Sequence, residues 1–159
     1  MGNDLHAKDW DWFMGRWRVH HRRLKIRLGG CSEWQEFEGA CECWSTLGGL
    51  GNVDDNLVEL PGAPYRAMTL RAFDEKSGRW GIWWLDGRSA HAIEPPVHGV
   101  FENGIGRFFG DDVLNGRPIG VRFTWSQIDT ACPVWEQAFS GDGGETWETN
   151  WVMTFRRAR

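Results

Sequence analysis

Tyrosine is almost missing from this chain: Tyr65 stands alone beside twelve tryptophans and nine phenylalanines. Cysteine is scarce as well, and the four present, Cys31, Cys41, Cys43 and Cys132, show no disulfide-framework spacing. If Cys41 and Cys43 share a strand, they lie on one face roughly 6–7 Å apart, which is poor disulfide geometry. No second pair and no spaced His-x-His accompanies them, so buried thiols are expected and a metal site is not. No apolar run approaches the roughly 20 residues that cross a bilayer. The chain opens on Gly2, Asn3 and Asp4 without an apolar signal core. The expectation is a soluble, cytoplasmic protein that does not enter membranes. Basic charge is not in excess either, with 22 acidic against 18 basic residues and a net charge of −4. That balance argues against a nucleic-acid partner, which needs a concentrated basic surface. The densest basic stretch, residues 16–27, alternates with apolar residues and reads as a strand with a charged face. Also absent are Gly-x-Ser-x-Gly, His-Glu-x-x-His, a Walker loop and a dinucleotide fingerprint. Gly104-x-Gly106 lies in a hairpin, the wrong setting for phosphate. No cofactor is expected, and no catalytic motif is found.

What remains is ordinary in bulk and odd in detail. The 159 residues suit one domain spanning residues 1–159. With 41% hydrophobic and 25% charged residues, the chain can bury a core. Tryptophan is bulky and carries a single N–H donor, so it suits apolar sites with one polar contact. Twelve of them imply either a large aromatic core or an aromatic-lined cavity.

The pattern along the chain is almost entirely β. One helix is predicted over residues 3–14: Asn3 or Asp4 can cap it, Leu5, Trp10, Phe13 and Met14 give rough helical spacing, and Gly15 stops it. Residues 16–20 then alternate, and Leu24, Ile26 and Leu28 continue in the opposite parity, which predicts a bulge near residues 20–23. Residues 32–46 form a second long strand. Hairpin signals follow in series, at residues 74–78, at Asn103-Gly104, at Asn115-Gly116, at residues 129–132 and at residues 141–144. About ten strands joined this way close into an antiparallel up-and-down barrel over residues 16–157, or stack as a two-sheet sandwich. The barrel is favoured because closure removes edges that a Trp-rich sheet would expose to aggregation.

Gly15-Arg16-Trp17 matches the Gly-x-Trp of the lipocalin and calycin superfamily, placed as there at the start of the first strand. Such barrels pack a basic residue near the last strand over that Trp, a role open here to Arg156 or Arg157. The wider sequence resembles a bacterial family of lipocalin-like domains with no assigned activity. Residues 84–88, 110–112, 115–119, 135–139 and 146–151 carry that resemblance. It implies a calycin/lipocalin-like barrel and lends no reaction. Nitrobindin-like barrels bind haem through a late His, and none follows His98 here. Fatty-acid-binding barrels hold a carboxylate with interior Arg and Tyr, a tripod that is not reproduced here residue for residue. Ser140-x-Asp142-x-Gly144-x-Thr146 matches the Asp-box of sialidase propellers, but one copy in a short chain reads as a turn device.

Alternation predicts which side chains face inward. Trp17, Val19 and His21 form one row, with Arg23 as a further inward polar group. Trp80, Ile82 and Trp84 form another, ending at Asp86. Val121, Phe123 and Trp125 face Trp135, Gln137 and Phe139, and Trp147, Thr149, Trp151 and Met153 complete the wall. Arg71 projects inward from the row of Tyr65, Ala67 and Thr69. An apolar cavity with a few convergent polar groups is the usual form of a ligand site. The candidate ligand-binding residues are therefore His21, Arg71, Trp84, Asp86, Trp125, Gln137 and Trp151. Asp111 and Asp112 alone are too few for a cation site. The main expectation is a barrel that binds a small apolar or aromatic molecule. One alternative is an isomerase- or cyclase-type enzyme using His21 and Asp86 as an acid–base pair. The other is a packed barrel without ligand, acting through self-association or a protein partner, with a homodimer left open.

Overall fold

The computed structural model describes residues 4–159. Ten antiparallel strands close into one barrel: β1 (Gly15–Leu24), β2 (Trp34–Thr46), β3 (Gly51–Val58), β4 (Tyr65–Asp74), β5 (Arg79–Asp86), β6 (Val97–Glu102), β7 (Ile105–Leu114), β8 (Arg117–Ser126), β9 (Val134–Ser140) and β10 (Glu148–Arg157). Each strand pairs with its neighbours in sequence, and β1 closes the ring on β10. The turns follow the local chemistry. Asn103 and Gly104 take φ of 53° and 77°, and Asn115 and Gly116 take 50° and 78°. Two successive positive φ values match the twist of the flanking strands, and Asn-Gly tolerates them best. The residue 140–146 segment is the turn device read from its pattern. Asp142 accepts from the Thr146 amide at 2.9 Å, and Ser140 Oγ accepts from the Gly144 amide at 2.8 Å.

The N-terminal helix is not formed. Two single 3₁₀ turns, Asp4–His6 and Asp11–Phe13, take its place. Asn3 and the side chain of Asp4, read as its cap, lie outside what is described. The reason is tertiary: Trp10 and Phe13 are both fully buried and fill the lower end of the barrel. Trp10 meets Phe101 and Trp125 edge-on at 5.1 and 5.6 Å. The plug is pinned by backbone as well as rings. The Trp80 indole donates to the His6 carbonyl at 2.8 Å, and the Phe101 amide donates to Asp9 at 3.1 Å. Arg157 lies 3.8 Å over the Trp17 ring and donates to the carbonyls of Met14 and Trp12. Of the two arginines open to that role, Arg157 fills it.

Two inferences about parity are corrected. β1 pairs with β2 without a shift from Gly15 to Leu24, so no bulge lies near residues 20–23. The strand simply ends at Leu24, and Ile26, in the loop beyond, is exposed. The irregularity sits instead in β10 against β9, between Thr149 and Trp151. Asn150 occupies it, fully buried, and accepts from Gln137 Nε2 at 2.8 Å. The parity of β10 therefore reverses on the N-terminal side of Trp151, toward the open end, and Trp147 does not join the inner wall. Trp147 lies before the strand, against the exposed ring of Phe109 at 6.1 Å and beneath Arg122 at 4.7 Å.

Candidate functional site

The barrel interior has two halves. Below, aromatic rings leave only a void of about 30 Å³. Above, a cavity of about 210 Å³ opens at the end formed by the tops of β1, β5 and β7. Trp84, Trp135, Trp151 and Phe123 line its apolar part, with Val121 and Ile82 beside them. Trp135 and Trp84 both meet Trp151 edge-on, at 5.5 and 5.9 Å. Such pairs hold rings in fixed orientation and contribute about 0.5–1.5 kcal/mol each beyond burial. β5 pairs with β6 only from Trp80 to Ile82. Residues 83–86 run on without that partner, and Glu94 and Pro95, from the connection to β6, reach the cavity there.

The seven candidate residues fall into three places. Trp84, Asp86, Gln137 and Trp151 line the upper cavity. Arg71 and Trp125 line the small lower void, which Trp84 also touches. His21 lines neither. Its Nδ1 accepts from the Trp151 indole at 3.1 Å, and its ring stacks on Phe37 at 4.7 Å. Burial pushes the His21 pKa down to about 3, so the imidazole is neutral and acts as a fixed acceptor that orients Trp151. Asp86 is held elsewhere. Arg88 grips its carboxylate at 2.7 and 3.0 Å, and the Arg88 amide donates to it at 2.9 Å. The Arg88 contact holds the Asp86 carboxyl below its usual range. Among the described residues no hydrogen bond joins His21 to Asp86.

Arg71 belongs to a buried polar network. Its guanidinium donates to Asp54 at 2.8 Å and to Asn52 at 2.9 Å, and lies 4.4 Å over the Trp10 ring. Asp54 also accepts from the Thr69 amide and from Asn56. The inner face of β3 is thus a polar row of Asn52, Asp54 and Asn56. Cys41 and Cys43 sit inside as buried thiols, and burial pushes Cys43 up to about 12 and Cys41 well above its usual value. Both are thus unreactive. Among the described residues no group of three or more potential ligands gathers to hold a metal. No helix among them is long and apolar enough to cross a membrane.

Sequence reasoning missed most of the mouth. Arg27, Arg88, Glu94 and Asp112 line it unforeseen, while Arg23 and Tyr65 do so from the inward rows expected of β1 and β4. All four are charged, and Arg27, Arg88 and Glu94 lie in the connections between strands, where charge ordinarily means solvent, whereas Asp112 lies in β7. Among the charges of the mouth other than Asp86, only Arg23 was signalled, by the alternation of β1 that places it after Val19 and His21.

The structure of the S-type phycobiliprotein lyase CPES from Guillardia theta matches this barrel with a TM-score of 0.59 at 8% identity, covering 99% of this chain and 95% of that one. No protein-family model and no curated protein matches the sequence. A likeness at that identity carries the fold alone. The chain thus shares its fold with that lyase, a closed ten-stranded antiparallel barrel around a half-open lumen.

Proposed function

We propose that this barrel binds a small apolar or aromatic molecule in its upper lumen. The observation that carries the proposal is the cavity of about 210 Å³, open at one end and walled by Trp84, Trp135, Trp151 and Phe123. A core evolved only for packing closes such a space, because voids cost stability. Sites for drug-sized ligands run from roughly 300 Å³ upward. This lumen falls short of that, and holds the equivalent of about seven waters at roughly 30 Å³ each. The ligand is therefore on the scale of a single substituted ring. The fold it shares with a protein named as a phycobiliprotein lyase accords with small-molecule handling, but the lumen bears the weight. The acid–base reading has less support, since His21 is committed to Trp151 and Asp86 to Arg88.

The test is a calorimetric titration with a panel of monocyclic aromatic compounds, paired with tryptophan fluorescence. Saturable binding is expected, with a change in emission from the three indoles of the wall. In Val121→Phe, which fills the lumen from its side, binding should fall at least tenfold while the β circular dichroism stays unchanged. No binding by any member of the panel to the native protein would overturn the reading.

A further inference from the structure

Three arginines line the mouth of the lumen, and their commitments differ. Arg88 is spent on Asp86 and lies 3.8 Å over the Tyr65 ring. Arg23 and Arg27 have no carboxylate within ion-pair distance among the described residues. Each is instead placed over an aromatic face that lines the cavity: Arg23 lies 4.5 Å from the Trp151 ring and Arg27 lies 5.8 Å from that of Phe139. Contact with a ring engages the face of a guanidinium and leaves its edge to hydrogen-bond in the plane; Arg23 gives one such bond to the Tyr65 side chain, and the remaining N–H groups form a fork that matches a carboxylate.

The mouth is divided by charge. Arg23 is on β1 beside Trp151 of β10, and Arg27 reaches Phe139 of β9. In the ring of strands these three are contiguous. The acids that face the same mouth, Asp86, Glu94 and Asp112, come from β5, the following loop and β7 across the opening. Asp86 is neutralised by Arg88, and Asp112 accepts from the Val113 amide at 2.7 Å. Burial, with Asp112 and Asp86 nearby, pushes the Glu94 carboxyl up. Burial and the charge of Arg23 push Arg27 down, and the charge of Glu94 offsets this only in part, from beyond ion-pair distance.

Resting on the reading of the lumen as an aromatic-binding site, we propose that its ligand is an aryl carboxylate. The ring lies among Trp84, Trp135 and Trp151, and the carboxylate sits at the mouth between Arg23 and Arg27. The ligand supplies these two side chains with a carboxylate at ion-pair distance, which Glu94 and Asp86 do not reach. A charge-assisted pair at a partly buried fork is much stronger than a neutral hydrogen bond there.

The experiment compares phenylacetate and trans-cinnamate with phenylacetamide and cinnamamide by calorimetry, on the native protein, Arg27→Gln and Arg23→Lys. Arg27 lies outside the strands, so Arg27→Gln keeps the barrel intact even if a change at Arg23 disturbs Trp151. The acids should bind at least tenfold more tightly than their amides, with affinity falling as salt is raised. Arg27→Gln should remove most of that preference and leave the amides unaffected, and Arg23→Lys should reduce it in part. Equal binding of acid and amide would overturn the carboxylate site and leave the aromatic lumen standing. Preference for the acid that survives both substitutions would also overturn it. Failure of acids and amides alike to bind would remove the lumen reading together with this one.

Discussion

The costliest residues in this barrel are charged or polar ones placed where water is not. Arg71 is 3% exposed and Asp54 is 2% exposed, at 2.8 Å from each other. Removing one partner strands the other charge, so Arg71→Met and Asp54→Leu should each cost about 3–5 kcal/mol in denaturant unfolding. The double variant should cost clearly less than the sum, because no charge is then left alone. His21 makes the opposite choice and gives up its charge. Its pKa of about 3 in the barrel compares with roughly 6.5 in an unfolded chain. Between those values the unfolded chain holds a proton that the folded one refuses. Stability is therefore full above about pH 6.5 and falls with acidification, by up to about 1.4 kcal/mol per pH unit, until about pH 3. His20, on the exposed face, works the other way: Glu38 and Glu36 raise its pKa, and solvent weakens the effect. Unfolding midpoints measured from pH 7 to pH 5 should fall more steeply for the native protein than for His21→Gln. Equal slopes would show that His21 is not held neutral.

Among the strands, two glycines of different kinds show what backbone geometry demands. Gly116 turns β7 into β8 at φ 78°, and a Cβ there meets nothing within 4 Å. Gly116→Ala should thus cost only the left-handed conformation, about 1 kcal/mol. Gly99 in β6 is the reverse case, for a Cβ there would lie 1.9 Å from the Arg107 carbonyl oxygen. The partner strand must move to admit it, so Gly99→Ala should cost at least about 3 kcal/mol. Equilibrium unfolding of the two variants side by side checks the order. The hairpins at Asn103-Gly104 and Asn115-Gly116 were legible because positive φ is a property of the residue pair itself. The bulge at Asn150 was not, because a parity change shows only when the register against β9 is known.

For the molecule as a whole, the N-terminal segment decides which end of the barrel is open. Trp10 is 1% exposed and covers the lower end with Phe13. Trp10→Ala should cost about 3–5 kcal/mol by the cavity it leaves. Trp10→Phe should cost less, because it keeps the ring over Phe101 and Trp125 and removes an indole N–H that has no hydrogen-bond partner. If both variants were equally unstable in thermal unfolding, the plug would owe its stability to something other than ring packing. The segment reads as a helix by spacing, yet it serves as a stopper, and a stopper is shaped by the hole it fills.

By itself the sequence determined the count of strands, most of the turns, the inward rows through Trp17, Ile82, Trp125 and Trp135, and the Gly15-x-Trp17 entry to the barrel. These follow from alternation and turn chemistry, which act between residues close along the chain. Tertiary structure alone decided that Arg71 pairs with Asp54, that His21 braces Trp151, that Trp147 lies outside, and that charged side chains ring an unfilled lumen. Each of those depends on contacts between distant strands, where closing the ring determines which polar groups lose water and which partners then replace it.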